Sequence, residues 1–124
     1  LGRLVGSEMC IRDRLILFNF IWSSSMSRLM AKPTIQVDNK FVKVTEWCFP
    51  PKSETGPHIH EMNYVVVPMT TGDLTIEDPN GNMSKASLIS GKSYSREIGV
   101  NHNVINNNDY EFRFIEIEVK NKSI

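Results

Sequence analysis

The chain has only three histidines in 124 residues, only two cysteines, and no excess of either charge. Fourteen Lys and Arg balance fourteen Asp and Glu. That balance removes the electrostatic basis for a nucleic-acid partner or an anionic membrane surface. Cys10 and Cys48 are too few for a disulfide framework, so a reducing, cytoplasmic setting is the expectation. The apolar run "LILFNFIW" is far short of the roughly 20 residues needed to span a bilayer. No stretch after residue 30 keeps an apolar period of 3.6, which excludes a helical core. Internal repeats, low-complexity segments, a phosphate-binding glycine loop and a serine nucleophile elbow are all missing. What remains is an ordinary soluble composition, 40% hydrophobic and 23% charged, at a length that fits one domain.

The first 25 residues do not belong with the rest. "MCIRDR" (residues 9–14) back-translates to a sequence resembling a transposon-end adapter used in library preparation. On that reading residues 1–25 are a non-native leader, and residues 26–124 form the domain. A signal peptide is the competing reading, with Arg12 and Arg14 ahead of the short apolar run. No small-x-small cleavage site follows, because "SSSMSRLMAKP" carries Arg28 and Lys32. Without the leader the chain carries eleven basic and twelve acidic residues. Cys48 is then the only cysteine, read as a small buried hydrophobe.

From Lys40 onward the pattern is short strands and turns. "FVKVTEWCF" (41–49) is rich in β-branched and aromatic residues, and "PPKSETGP" (50–57) reads as a loop. "HIHEMNYVVVPM" (58–69) reads as a strand bent near Glu61–Asn63, and "TTGD" as a turn. "LTIED" and "MSKASLIS" flank "PNGN", whose Asn-Gly is a hairpin signal. "YEFRFIEIEV" (110–119) is the last strand; its apolar phase shifts between Phe114 and Ile115, which predicts a bulge or burial on both faces. Many short strands at regular spacing predict an antiparallel sandwich or barrel.

The three histidines carry the chemistry. His58 and His60 are one residue apart in a strand, so both side chains lie on one face. His102, in "GVNHNVIN", opens another strand-like segment that would supply a third imidazole if it pairs with the first. Neutral imidazoles are ligands for Fe, Mn, Ni, Cu or Zn, and the pattern does not choose among these divalent transition metals.

The two segments resemble the cupin motifs, G-x5-H-x-H-x(3,4)-E-x6-G and G-x5-P-x-G-x2-H-x3-N. His58, His60 and Gly72 match the first, and Gly99, His102 and Asn106 match the second. The resemblance covers about Phe41 to Val119. More narrowly, "TGPHIHEMNYVVVP" and "NHNVINNNDYEFRFIEIE" are similar to small cupins associated with β-alanine degradation. The resemblance implies an all-β jelly-roll barrel of the double-stranded β-helix type, metal held by His58, His60 and His102, and a homodimer. The acidic ligand of the first motif falls at Tyr64 or Val65, and the proline of the second is replaced by Glu97. A three-histidine site is therefore expected, with Asn63 or Tyr64 nearby; Glu61 is an additional ligand only if a turn brings it inward.

Asn106, Asn63 and Glu116 are candidates to hold the second ring nitrogens of the ligands. Tyr64 and Tyr94 are candidates to line a pocket, and Arg96 and Arg113 to clamp a substrate carboxylate, against plain packing and solvated-strand roles. Trp47, Phe49, Phe112 and Phe114 read as core. Together these imply a metal-dependent, dioxygenase-like enzyme acting on a small polar molecule in the barrel. The rival expectation is a non-catalytic cupin that binds a small ligand as a sensor or accessory protein.

Overall fold

The computed structural model describes residues 28–120; the expected leader, residues 1–25, lies outside them. Every regular element among the described residues is a strand. In chain order they are β1 (Leu29–Met30), β2 (Lys32–Asp38), β3 (Val42–Phe49), β4 (Ser53–Glu54), β5 (His58–Ile59) and β6 (Asn63–Pro68). β7 (Gly72–Glu77), β8 (Met83–Leu88), β9 (Tyr94–Arg96), β10 (Asn101–Asn106) and β11 (Phe112–Val119) complete the set. They form two sheets, β2-β3-β11-β6-β9 and β1-β4-β10-β7-β8, with β5 also pairing on β10. This is the jelly-roll barrel expected from the two motifs.

The inner faces close on an apolar core. The first sheet gives Phe49, Tyr64, Val66, Phe112 and Phe114; the second gives Leu74, Leu88 and Val104. Phe49 and Phe112 have no exposed surface at all. They face each other in register on β3 and β11, so the two rings seal one end of the barrel.

Three sequence expectations change. Of the two alternatives for the last strand the bulge is absent, since β11 pairs with β3 without a break from Phe112 opposite Phe49 to Val119 opposite Val42; the other holds in part, because the outer-face Ile115 and Ile117 are half-buried. The inner face of β11 carries Phe112, Phe114 and then Glu116, so a buried carboxylate, not a kink, breaks the apolar phase. The irregularity lies in β2, between Ile35 and Val37. β2 lies before the segment read as strands; all seven of its residues are exposed at the sheet edge. Inside the "PPKSETGP" loop, Ser53–Glu54 form a two-residue strand that pairs with β10.

The Asn-Gly hairpin forms as predicted, although its loop runs from Asp78 to Asn82. The Asp78 carboxylate accepts from the backbone N–H of Asn80 and Asn82, each at 2.9 Å, and is held below the usual carboxylate range by them. Cys48, expected as a free thiol, is disulfide-bonded, and its partner lies outside the described residues. The cysteine argument for a reducing compartment therefore falls. No helix among the described residues is long and apolar enough to cross a membrane.

Candidate metal centre

Two neighbouring strands bring the histidines together. β5 runs antiparallel to β10 with His58 directly opposite His102. Beyond β5 the pairing continues through the backbone: His60 N–H donates to Val100 O at 2.8 Å, and Gly99 N–H donates to His60 O at 2.9 Å. Gly99 has φ +101°, a left-handed conformation that a side chain would strain, which explains a glycine at this point of the second motif. Period two along residues 58–60 does the rest: both rings point inward, toward the ring of His102.

The Nε2 atoms converge. His58 Nε2 and His60 Nε2 are 3.1 Å apart, as are His60 Nε2 and His102 Nε2. All three ligand atoms lie within 4.8 Å of one another. The rings meet edge to face, with interplanar angles of 70–83°. Two ligand nitrogens about 2.0–2.1 Å from one divalent ion stand roughly 2.9 Å apart at a right angle and roughly 3.4 Å apart at a tetrahedral angle. The 3.1 Å separations fall inside that range. The donor set and these two separations, both through His60, suit a transition-metal ion, with His58 and His102 held within 4.8 Å of each other.

The outer ring nitrogens are held as ligation requires. His58 Nδ1 lies 2.9 Å from Gly56 O, and a carbonyl only accepts, so Nδ1 carries the proton and Nε2 offers its lone pair to the cluster. Gly56 is fixed in turn by the buried Asn103, whose Oδ1 accepts from Gly56 N–H at 2.9 Å. Asn103 also donates to Glu54 Oε1 and Glu77 Oε1, tying β4 and β7 to the histidine loop. His60 Nδ1 lies 3.5 Å from the Glu116 carboxylate, whose other oxygen accepts from Trp47 Nε1 at 3.1 Å.

Burial keeps the rings of His60 and His102 neutral. Burial, with the neighbouring His58 charge second, pushes both His60 and His102 down to about 4. The 3.5 Å approach of His60 to Glu116 is therefore made by a neutral imidazole at pH 7 and is not an ion pair. Burial raises the Glu116 carboxyl, partly offset by the Trp47 hydrogen bond. Tyr64 stacks on His60, ring centroids 4.0 Å apart and planes 20° apart. Burial pushes its phenol up to about 12, so it is a neutral hydroxyl at pH 7.

The cluster opens onto a cavity of about 620 Å³ between the sheets. Thr45, Trp47, Tyr64, Val66, Leu74 and Val104 are among its walls, and Pro33, Ile35, Ile59 and Met62 also border it.

Of the residues marked in the sequence, Tyr64, Tyr94 and Glu116 join the histidines around this cavity. Glu61 borders it but is exposed. Asn63 is exposed and its side chain accepts from Ile98 N–H at 2.7 Å, a turn-holding role. Asn106 is fully buried but donates to the backbone carbonyls of Phe49 and Tyr110, which fixes the turn before β11 and not a histidine. Arg96 is exposed and lies over the Tyr94 ring. Arg113 is held by Glu46 at 2.5 Å and Glu111 at 2.6 Å. Neither arginine is among the cavity walls. Asn103 was not marked in the sequence; a polar residue beside a ligand histidine and turned to the opposite face was the available signal.

No family model matches the chain. It is 52% identical over 93 residues to the beta-alanine degradation protein BauB of Pseudomonas aeruginosa PAO1, covering 75% of this chain and 97% of that protein. The chain is a cupin. A cupin domain of Bordetella pertussis Tohama I superposes on this cupin with a TM-score of 0.75 and 58% identity, over 77% of this chain and 99% of the other. A double-stranded β-helix protein of Klebsiella pneumoniae superposes with a TM-score of 0.62 at 16% identity, over 80% and 84% of the two chains, a likeness of fold alone. In this cupin three histidines are positioned to bind a metal.

Proposed function

We propose that this cupin is a metal-dependent enzyme, dioxygenase-like, that acts on a small polar metabolite inside the barrel. The observation that carries the reading is the convergence of three imidazoles on one point at the wall of an open cavity. A closed structural site would fill its coordination with protein; three protein ligands beside open space leave positions for other molecules. His58, His60 and His102 would hold Fe, Mn, Ni, Cu or Zn, which supplies Lewis acidity or dioxygen activation when bound.

The protein's own residues do the positioning. Gly56 and Glu116 orient the rings of His58 and His60. Tyr64, protonated at neutral pH, offers a hydroxyl donor in the cavity next to His60. The apolar walls strengthen each polar contact inside. The name of the Pseudomonas relative places that protein in β-alanine degradation. A metabolite of that chemical kind, with a three-carbon chain, is small enough for the cavity.

A second reading has one observation behind it. The family's acidic ligand position falls at Tyr64, which stacks on a histidine. A site with that substitution would suit a cupin that binds a ligand without turnover. Oxygen uptake by the Fe(II)-loaded full chain, screened against small amino acids and their oxo-acid counterparts, separates the two. Saturable uptake that disappears in His58→Ala supports the enzyme. Saturable binding with no uptake under any loaded metal supports the accessory protein.

A further inference from the structure

Lys43 and Glu118 stand directly opposite each other on β3 and β11. Across an antiparallel pair, such residues are roughly 5 Å apart at Cβ and ordinarily form an ion pair. These two do not come within ion-pair distance of each other, nor of another charged group among the described residues. Both are half-buried, and both line the metal cavity. On its other side Lys43 faces Asp38 of β2, whose carboxylate is taken by Lys120. On its other side Glu118 faces Tyr64 of β6, the residue stacked on His60.

An unpaired ammonium and an unpaired carboxylate, side by side on a cavity wall, are complementary to a molecule that carries both charges. A simple carboxylate would meet Lys43 but also Glu118, with Glu116 one pleat deeper. A simple amine would meet Glu118 but also Lys43. Neighbouring strands are about 4.8 Å apart, so Glu118 lies one strand, and Lys43 two strands, from Tyr64. A ligand head held there leaves room for only a few heavy atoms before the imidazoles.

We infer that the cavity selects zwitterionic amino acids of short chain, with Glu118 taking the ligand ammonium, Lys43 its carboxylate, and the remainder directed at the three histidines. This deepens the proposed function by naming a substrate class, and it rests on the cavity being the ligand site, not on which metal is held.

The test uses three probes of matched length: β-alanine, propionate and n-propylammonium. Their affinities for the full chain, metal-free and metal-loaded, are measured by NMR titration, with metal content measured in parallel. β-Alanine is expected to bind about tenfold or more tightly than either single-charge probe, as one added charge-assisted hydrogen bond implies. Glu118→Gln should weaken β-alanine and propylammonium about tenfold and spare propionate, while Lys43→Gln should do the converse. Both variants should keep the wild-type metal content and melting temperature. Equal affinity of wild type for β-alanine and propionate, an unchanged β-alanine affinity in Glu118→Gln, or no binding of β-alanine at all would each overturn the inference. Loss of metal from wild type with the discrimination intact would instead count against the metalloenzyme reading alone.

Discussion

The two ends of strands β3 and β11 differ sharply. At one end the inward residues are Phe49 and Trp47 on β3 and Phe112 and Phe114 on β11. At the other they are Thr45 and Lys43, and Glu116 and Glu118. The backbone register is continuous through both, so the change is one of side chain only. The apolar end stabilises the fold; the polar end, buried at some cost in desolvation, lines the cavity that the histidines of β5 and β10 face from the other sheet. The lesson is that one sheet can be core and site at once when the division runs along the strand.

The largest effect should come from the apolar end. Phe112→Ala removes a fully buried ring and should cost about 3–5 kcal/mol, read as a fall in the denaturant midpoint. If Phe112→Ala is as stable as wild type, the division between the ends is wrong. Across the cavity, on β10 of the facing sheet, His102→Ala should abolish metal binding and leave the barrel folded, as checked by metal content and circular dichroism. Glu116→Gln keeps the shape and the Trp47 contact but weakens the hold on His60. Metal affinity should fall about 10–100-fold, measured by competition with a chelator, with little change in melting temperature of the metal-free protein.

A smaller effect is the pH dependence of the metal-free protein. His60 and His102 titrate near 4 in the folded state and near 6.5 when unfolded, so the unfolded chain binds more protons between those values. Stability is full above pH 6.5 and is lost as pH falls toward 4. The Glu116 carboxyl is raised by burial and works in the opposite sense. Melting temperature followed from pH 7.5 to 4 should therefore drop more steeply in Glu116→Gln than in wild type. A flat profile in that variant would show that the imidazoles are solvated, and the polar end wetter than described.

Much of this site was legible in the sequence because its geometry is local. Period two puts His58 and His60 on one face, and the second motif supplies the strand that carries His102. What was hidden depends on strand register. Glu116 is an ordinary charged residue in "RFIEIEV" until β11 turns it inward beside Trp47 and His60. Arg113 carries the right chemistry for a carboxylate clamp, but alternation puts it on the outer face, where Glu46 and Glu111 hold it. β2 alternates Pro33, Ile35 and Val37 with polar residues, but as an exposed edge strand it lacks the large apolar residues that mark a core strand.

Elemental analysis of the untagged full chain, beside a His58→Ala/His60→Ala double variant, tests the central claim most directly. The account predicts near-stoichiometric iron, manganese, nickel, copper or zinc in the wild type and none in the variant. Absence of metal from both, persisting after reconstitution with each ion, would contradict it.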